Sequence, residues 1–88
     1  MSLEQPDPDV LRRAQRGDER AFELILRAYE TPIYNYVLRM VNDRSLAEDL
    51  TQEVFVRVFR SLSTYTPGTF EGWIHRITTN LFLDQARR

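Results

Sequence analysis

The C-terminal stretch from Phe70 to Arg88 carries the side chains best suited to recognising a ligand. At about 100° of rotation per residue, Arg76, Asn80 and Arg87 fall on one face of a helix. Guanidinium groups and a carboxamide can hydrogen-bond to phosphates and to the edges of nucleobases. Trp73 borders this face, one turn from Arg76. The spacing predicts a helix that binds nucleic acid, although it is also typical of a core tryptophan beside solvated arginines.

The loop before this helix adds an aromatic ring. Tyr65 lies within the hydroxyl-rich segment 63–66, and Pro67-Gly68 then breaks any helix. Proteins bind unpaired bases with an aromatic face that stacks on the base and polar groups that hydrogen-bond to its Watson–Crick edge. We therefore expect Tyr65 and Asn80 to converge on an extruded base.

A second polar surface is predicted on the helix that begins near Ser45. Its outer face, within about a third of the helix circumference, is formed by Asp49, Gln52, Glu53, Val56 and Arg60. One interpretation is a solvated acidic face with a single exposed valine, which is common on protein surfaces. The other is a docking patch, with an apolar centre surrounded by groups that fix the orientation of a partner.

Apolar residues recur at helical spacing through most of the chain, and no segment alternates as a strand does. An inward stripe of Ala47, Leu50, Val54, Val58 and Leu62 is one example. The pattern predicts an all-α, compact domain of four to five helices. The expected helix starts are Asp9, Asp18 after Gly17, Thr31-Pro32 after a helix that ends near Tyr29, a capping box over Ser45 to Glu48, and Thr69.

Composition limits the classes of function. The 88 residues contain no cysteine and a single histidine, so we expect no enzyme, metal site or cofactor. Residues 1–8 are predicted to be a disordered lead and residues 9–88 one helical domain. Neither a signal-peptide core nor a long apolar run is present, which favours a cytoplasmic location without membrane insertion.

Charge is divided unevenly along the chain. Residues 1–53 contain 7 arginines and 11 acidic residues, a net charge of −4, whereas residues 54–88 contain 5 arginines and 2 acidic residues, a net charge of +3. An acidic half and a basic half indicate two partners rather than one.

Two sets of residues at fixed spacings now stand out: the run Asp49-Leu50-Thr51-Gln52-Glu53, and later Phe70, Trp73, Ile77, Asn80, Asp84 and Arg87. Together they resemble conserved region 2 of bacterial sigma factors, and most closely the extracytoplasmic-function (ECF) group. The likeness covers about Val10 to Arg88. It implies a compact helical domain that acts in transcription initiation.

The resemblance implies a polymerase-binding surface. In the family, the helix with this acidic motif docks on the clamp helices of the largest subunit of core RNA polymerase. The corresponding residues here are Asp49, Gln52 and Glu53, with Phe55, Val56, Phe59 and Arg60 as neighbouring candidates.

The resemblance also implies a promoter-binding surface. The family's loop and final helix recognise and help melt the minus-ten promoter element, and they capture a flipped base of the non-template strand. In this sequence Tyr65 and Thr66 would form the base pocket with Asn80. Contacts to the duplex edge or to phosphates would come from Arg76, Thr79 and Arg87. Trp73 would lie at the upstream fork, where duplex DNA meets the melted strands.

Two features depart from the family pattern. Primary sigma factors carry paired tryptophans where this chain has Gly72-Trp73, so melting is expected to demand stricter sequence matching. The family's helix-turn-helix domain is absent, which suggests a fragment. An alternative function is a helical protein–protein adaptor that never meets DNA. An anti-sigma factor is a possible further partner, for which Phe82 and Leu83 are candidate contacts.

Overall fold

The chain folds as α-helices in the computed structural model, which describes residues 6–65 and 68–87. Within those residues there is no strand, and the helices are α1 (Pro8–Gln15), α2 (Glu19–Val41), α3 (Arg44–Ser61) and α4 (Phe70–Ala86), with a 3-10 turn over Leu62–Thr64. The all-α class is confirmed. No helix in the described ranges combines the length and the apolar character needed to cross a membrane.

One apolar core joins the four helices. Helix α2 packs against α1 and α3, and α3 packs against α4. The stripe predicted on α3 is confirmed, because all of its residues are buried: Ala47, Leu50, Val54, Val58 and Leu62. Phe70, Ile74 and Leu81 bury the inner face of α4. Because α3 packs against both α2 and α4, it provides most of the contact that positions α4, and α2 adds a smaller part.

The predicted helix break at Thr31-Pro32 is wrong, because α2 runs through Pro32 as one helix of 23 residues. Proline removes the hydrogen bond to the carbonyl four residues earlier, here that of Ala28. Ala28 is exposed, so water can hydrogen-bond to that carbonyl instead. Tyr29 and Ile33 lie one turn apart on either side of Pro32, and both are buried. Their packing against the core favours a continuous helix over a new start.

Short acidic side chains begin three of the helices. Asp18 accepts hydrogen bonds from the N–H groups of Arg20 and Ala21, as predicted. The other two caps differ from prediction: Asp7 rather than Asp9 caps α1, and Asp43 rather than Ser45 caps α3. In each case an aspartate two residues earlier than predicted accepts a hydrogen bond from a backbone N–H group. The helix therefore begins before the first residue of its apolar stripe.

Residues in the left-handed region end α1 and α2. Gly17 has φ of +94° after α1, as the predicted glycine stop requires. Asn42 has φ of 54° after α2, and its N–H donates to the carbonyl of Leu38 at 2.8 Å. Asparagine tolerates this conformation better than most residues with a side chain. The tight turn at Asn42 and Asp43 therefore directs α3 back against α2.

Candidate functional site

The outer face of α3 is the first candidate surface. Asp49, Gln52, Glu53 and Arg60 are exposed, and Val56 retains 47% of its accessible area. The predicted arrangement is therefore present in outline: an exposed valine surrounded by groups that can hydrogen-bond or form ion pairs. Phe55 differs from the other candidates because only 6% of its area is exposed.

Next to this face, an open apolar groove of about 530 Å³ lies between α2 and α3. Phe55 lines the groove and is itself buried. Phe59 lies at the edge of the groove, with 54% of its area exposed. The rings of Phe22 on α2 and Phe59 on α3 meet edge to face, with centroids 5.1 Å apart. We name this feature the α2/α3 groove; its lining residues are Phe22, Leu26, Glu30, Thr51, Gln52, Phe55, Val56 and Phe59.

The sequence did not reveal the groove. Phe22 and Leu26 lie at helical spacing on α2, which favours burial in the core, but both are only partly buried and line the groove. Helical periodicity identifies the side of α2 that faces α3, but it gives no distance between the two helices. A large exposed aromatic beside a small exposed valine, as with Phe59 and Val56, is the sequence signal that could have indicated it.

A cluster of aromatic rings forms the second candidate surface, at the start of α4. The Tyr65 ring lies 5.1 Å from that of Trp73 and 5.5 Å from that of Phe70, measured between centroids. The Tyr65 hydroxyl donates to the carbonyl of Gly68 at 3.1 Å. Phe70 is fully buried, whereas Tyr65 and Trp73 are partly exposed. Trp73 therefore both packs on the core and presents part of its ring at the surface.

Along α4, the predicted polar stripe is accessible. Arg76, Asn80 and Arg87 are exposed and Thr79 is partly buried. The Asn80 side chain is thus not part of the apolar core. Thr66, the remaining candidate in this group, lies outside the described residues.

Tyr65 and Asn80 occupy two ends of one surface. Tyr65 contacts Trp73 in the first turn of α4. Asn80 is seven residues further along the helix, which corresponds to about 10 Å of rise on nearly the same face. The convergence of the two side chains on a single base stays a prediction. Successive nucleotides of one strand could contact them in turn.

Contacts between helices hold α4 in place. The rings of Tyr36 on α2 and His75 on α4 meet edge to face at 4.8 Å, so His75 is partly buried rather than a free surface residue. Arg57 on α3 and Asp84 on α4 form an ion pair of 3.8 Å between half-exposed side chains. An exposed pair of this kind contributes little stability. The ion pair nevertheless connects α3, which carries the first candidate surface, to α4, which carries the polar stripe.

Comparison with known proteins assigns the domain. The family model for sigma-70 region 2 matches residues 25–88. The chain belongs to the sigma-70 region 2 family. The ECF RNA polymerase sigma factor SigE of Mycolicibacterium smegmatis is 52% identical over 75 residues, which is 82% of this chain and 29% of that protein. The RNA polymerase sigma-H factor of Pseudomonas aeruginosa is 35% identical over 81 residues, 91% of this chain and 42% of that protein.

A third relative, the ECF RNA polymerase sigma factor SigW of Bacillus subtilis, is 33% identical over 79 residues, 89% of this chain and 42% of that protein. The resemblance to an ECF region 2 domain is thereby confirmed. The chain spans less than half the length of these relatives. The α3 face and the stripe on α4 both lie within the matched residues, which begin in α2.

Proposed function

We propose that this region 2 domain acts in transcription initiation by docking on core RNA polymerase and binding the minus-ten promoter element. The observation that carries the proposal is an accessible Asn80 between exposed arginines, on the same helix as the partly exposed Trp73. The names of the relatives, which are RNA polymerase sigma factors, support the same function.

Polymerase binding is assigned to the α3 face, with the clamp helices of the largest subunit as the partner. Gln52 connects this face to the α2/α3 groove, because it is exposed and lines the groove. An apolar side chain of the partner could enter the groove beside Phe59 while Asp49, Glu53 and Arg60 set its orientation. Interfaces of this kind combine an apolar centre with a polar rim.

Promoter binding is assigned to the loop and α4. Opening DNA costs a few kcal/mol for each unstacked step. An aromatic platform returns about 1–3 kcal/mol per stacked base, and hydrogen bonds to a base edge add selectivity. Captured bases then stabilise the open strand without any covalent bond being made or broken. Tyr65 and Trp73 supply the platform, Asn80 the base-edge contact, and Arg76, Thr79 and Arg87 the contacts to phosphates.

The decisive experiment is selection from single-stranded DNA of random sequence by core polymerase together with this chain. We expect one short sequence to be enriched, and core polymerase alone to enrich none. The double variant Gln52→Ala, Glu53→Ala should remove both binding to polymerase and enrichment while helix content stays unchanged in circular dichroism. Polymerase binding without any enrichment would instead support a helical adaptor that does not read DNA.

A further inference from the structure

Helix α1, which the proposed function leaves without a role, is attached to the loop that carries Tyr65. The Nε2 group of Gln15, the last residue of α1, donates to the carbonyl oxygens of Leu62 and Tyr65, both at 3.1 Å. These two bonds join positions 47 and 50 residues apart in sequence. Both are partly shielded from solvent. One amide thus binds both ends of the turn that precedes the loop.

Helix α1 and the described residues of the loop are separated by open space. A cavity of about 400 Å³ lies between them, bounded by Leu11 and Gln15 on the α1 side and by Tyr65 and Gly68 on the loop side. The Gln15 hydrogen bonds therefore span a gap that close packing does not fill at this point. On its other side, the Tyr65 ring packs against the rings of Phe70 and Trp73, with centroids 5.5 Å and 5.1 Å away.

We propose that Gln15 is a positioning residue for base recognition. By binding the Tyr65 carbonyl, it fixes the backbone from which the Tyr65 ring projects towards Trp73. The exposed part of the aromatic platform then has one orientation before DNA arrives, so less conformational entropy is lost when a base stacks on it. This inference rests on the proposed function, since it concerns the same base-binding surface.

Three variants test it. Gln15→Met keeps the approximate size of the side chain but removes the donor, whereas Gln15→Lys keeps a side-chain N–H donor. Gln85→Met is the matched control, because Gln85 is also partly buried but lies on α4 outside both candidate surfaces. Circular dichroism checks that each variant retains its helix content and melting temperature.

The first measurement needs no DNA. Trp73 is the chain's one tryptophan, so its fluorescence reports the contact with Tyr65 directly. In Gln15→Met we expect red-shifted emission and greater quenching by acrylamide, and in Gln15→Lys and Gln85→Met values close to the wild type. Unchanged Trp73 fluorescence in Gln15→Met would overturn the inference. So would a loss of helix content in that variant, because Gln15 would then be a structural residue.

The second measurement uses the enriched oligonucleotide bound to the complex of core polymerase and chain. It compares this oligonucleotide with the same strand carrying one abasic nucleotide at the enriched position. We expect Gln15→Met to reduce the ratio of the two affinities about tenfold, and Gln15→Lys to preserve it. A wild-type complex that shows no preference would refute the proposed function and this inference with it. A preference that Gln15→Met retains would refute the inference alone.

Discussion

At the scale of single residues, Asn80 is informative because the fold gains little from it. It is exposed in the middle of α4, where asparagine is less favourable for a helix than alanine by about 0.5 kcal/mol or more. Its side chain does not enter the core. Asn80 can therefore be substituted, or can contact a ligand, at little cost to the fold.

We expect Asn80→Ala to separate recognition from folding. The variant should reduce discrimination between bases in the selected strand by about 1–3 kcal/mol, because the base-edge hydrogen bonds are lost. Its free energy of unfolding should rise by about 0.5 kcal/mol, because alanine is the better helix former and no core contact is removed. The measurements are oligonucleotide competition with the polymerase complex and urea denaturation of the chain alone.

Asn35→Ala provides the matched control, because Asn35 is exposed within α2 and outside both surfaces. It should leave base discrimination unchanged and raise the free energy of unfolding by a similar amount, about 0.5 kcal/mol. If Asn80→Ala instead lowered stability strongly while Asn35→Ala did not, Asn80 would be a structural residue and the base-contact assignment would fail.

At the scale of helices, spacing predicted which residues pack but not how each helix begins. The α3 stripe followed from the sequence because a period of 3.6 residues leaves one face apolar. The starts of α1 and α3 were misplaced because Asp7 and Asp43 compete with later polar residues for the role of cap. A cap stabilises a helix by only about 1 kcal/mol. Several nearby polar side chains could each supply it, so the sequence alone does not distinguish them.

Pro32 shows how packing can override a local signal. A proline in a helix interior costs roughly 3 kcal/mol relative to alanine. The buried side chains of Tyr29 and Ile33 on either side stabilise the helix by removing apolar surface from water, at about 25 cal/mol per Å². No pattern in the sequence gives the size of that compensation, because it depends on the other helices that cover the two residues.

Pro32→Ala should therefore stabilise the domain by about 1–3 kcal/mol, since it restores the hydrogen bond to the Ala28 carbonyl. Denaturation in urea gives the change in the free energy of unfolding. Thr31→Ala, at the exposed neighbouring position, should produce a much smaller change. A less stable Pro32→Ala chain would show that contacts of the partly buried proline ring outweigh its backbone cost.

At the scale of the whole molecule, charge is divided unevenly along the chain. The net charge of the chain is only −1, and the acidic excess lies in residues 1–53, which include the start of α3. The basic excess lies in residues 54–88, but α4 itself contains only Arg76 against Glu71 and Asp84. The sequence predicted the accessible polar stripe on α4, but helical periodicity does not show where a residue outside the helix, such as Tyr65, lies relative to Asn80.

Such a charge balance gives little general attraction for DNA, since duplex binding depends largely on the number of phosphates that arginine and lysine neutralise. The exposed stripe on α4 offers Arg76 and Arg87. With two phosphate contacts, the logarithm of the affinity should fall with the logarithm of salt concentration with a slope of about −2. We expect weak binding of the chain alone to random duplex DNA and tighter binding to promoter DNA once core polymerase is present.

Fluorescence anisotropy with labelled duplex at several salt concentrations measures this slope. Arg76→Ala should weaken binding to all sequences alike and make the slope shallower by about 1, whereas Asn80→Ala should leave it unchanged, because only the arginine displaces counterions. Submicromolar affinity of the chain alone for random duplex at physiological salt would contradict the expectation. Attraction to phosphates would then be sufficient for binding. The proposal that selective binding requires captured bases and core polymerase would fail.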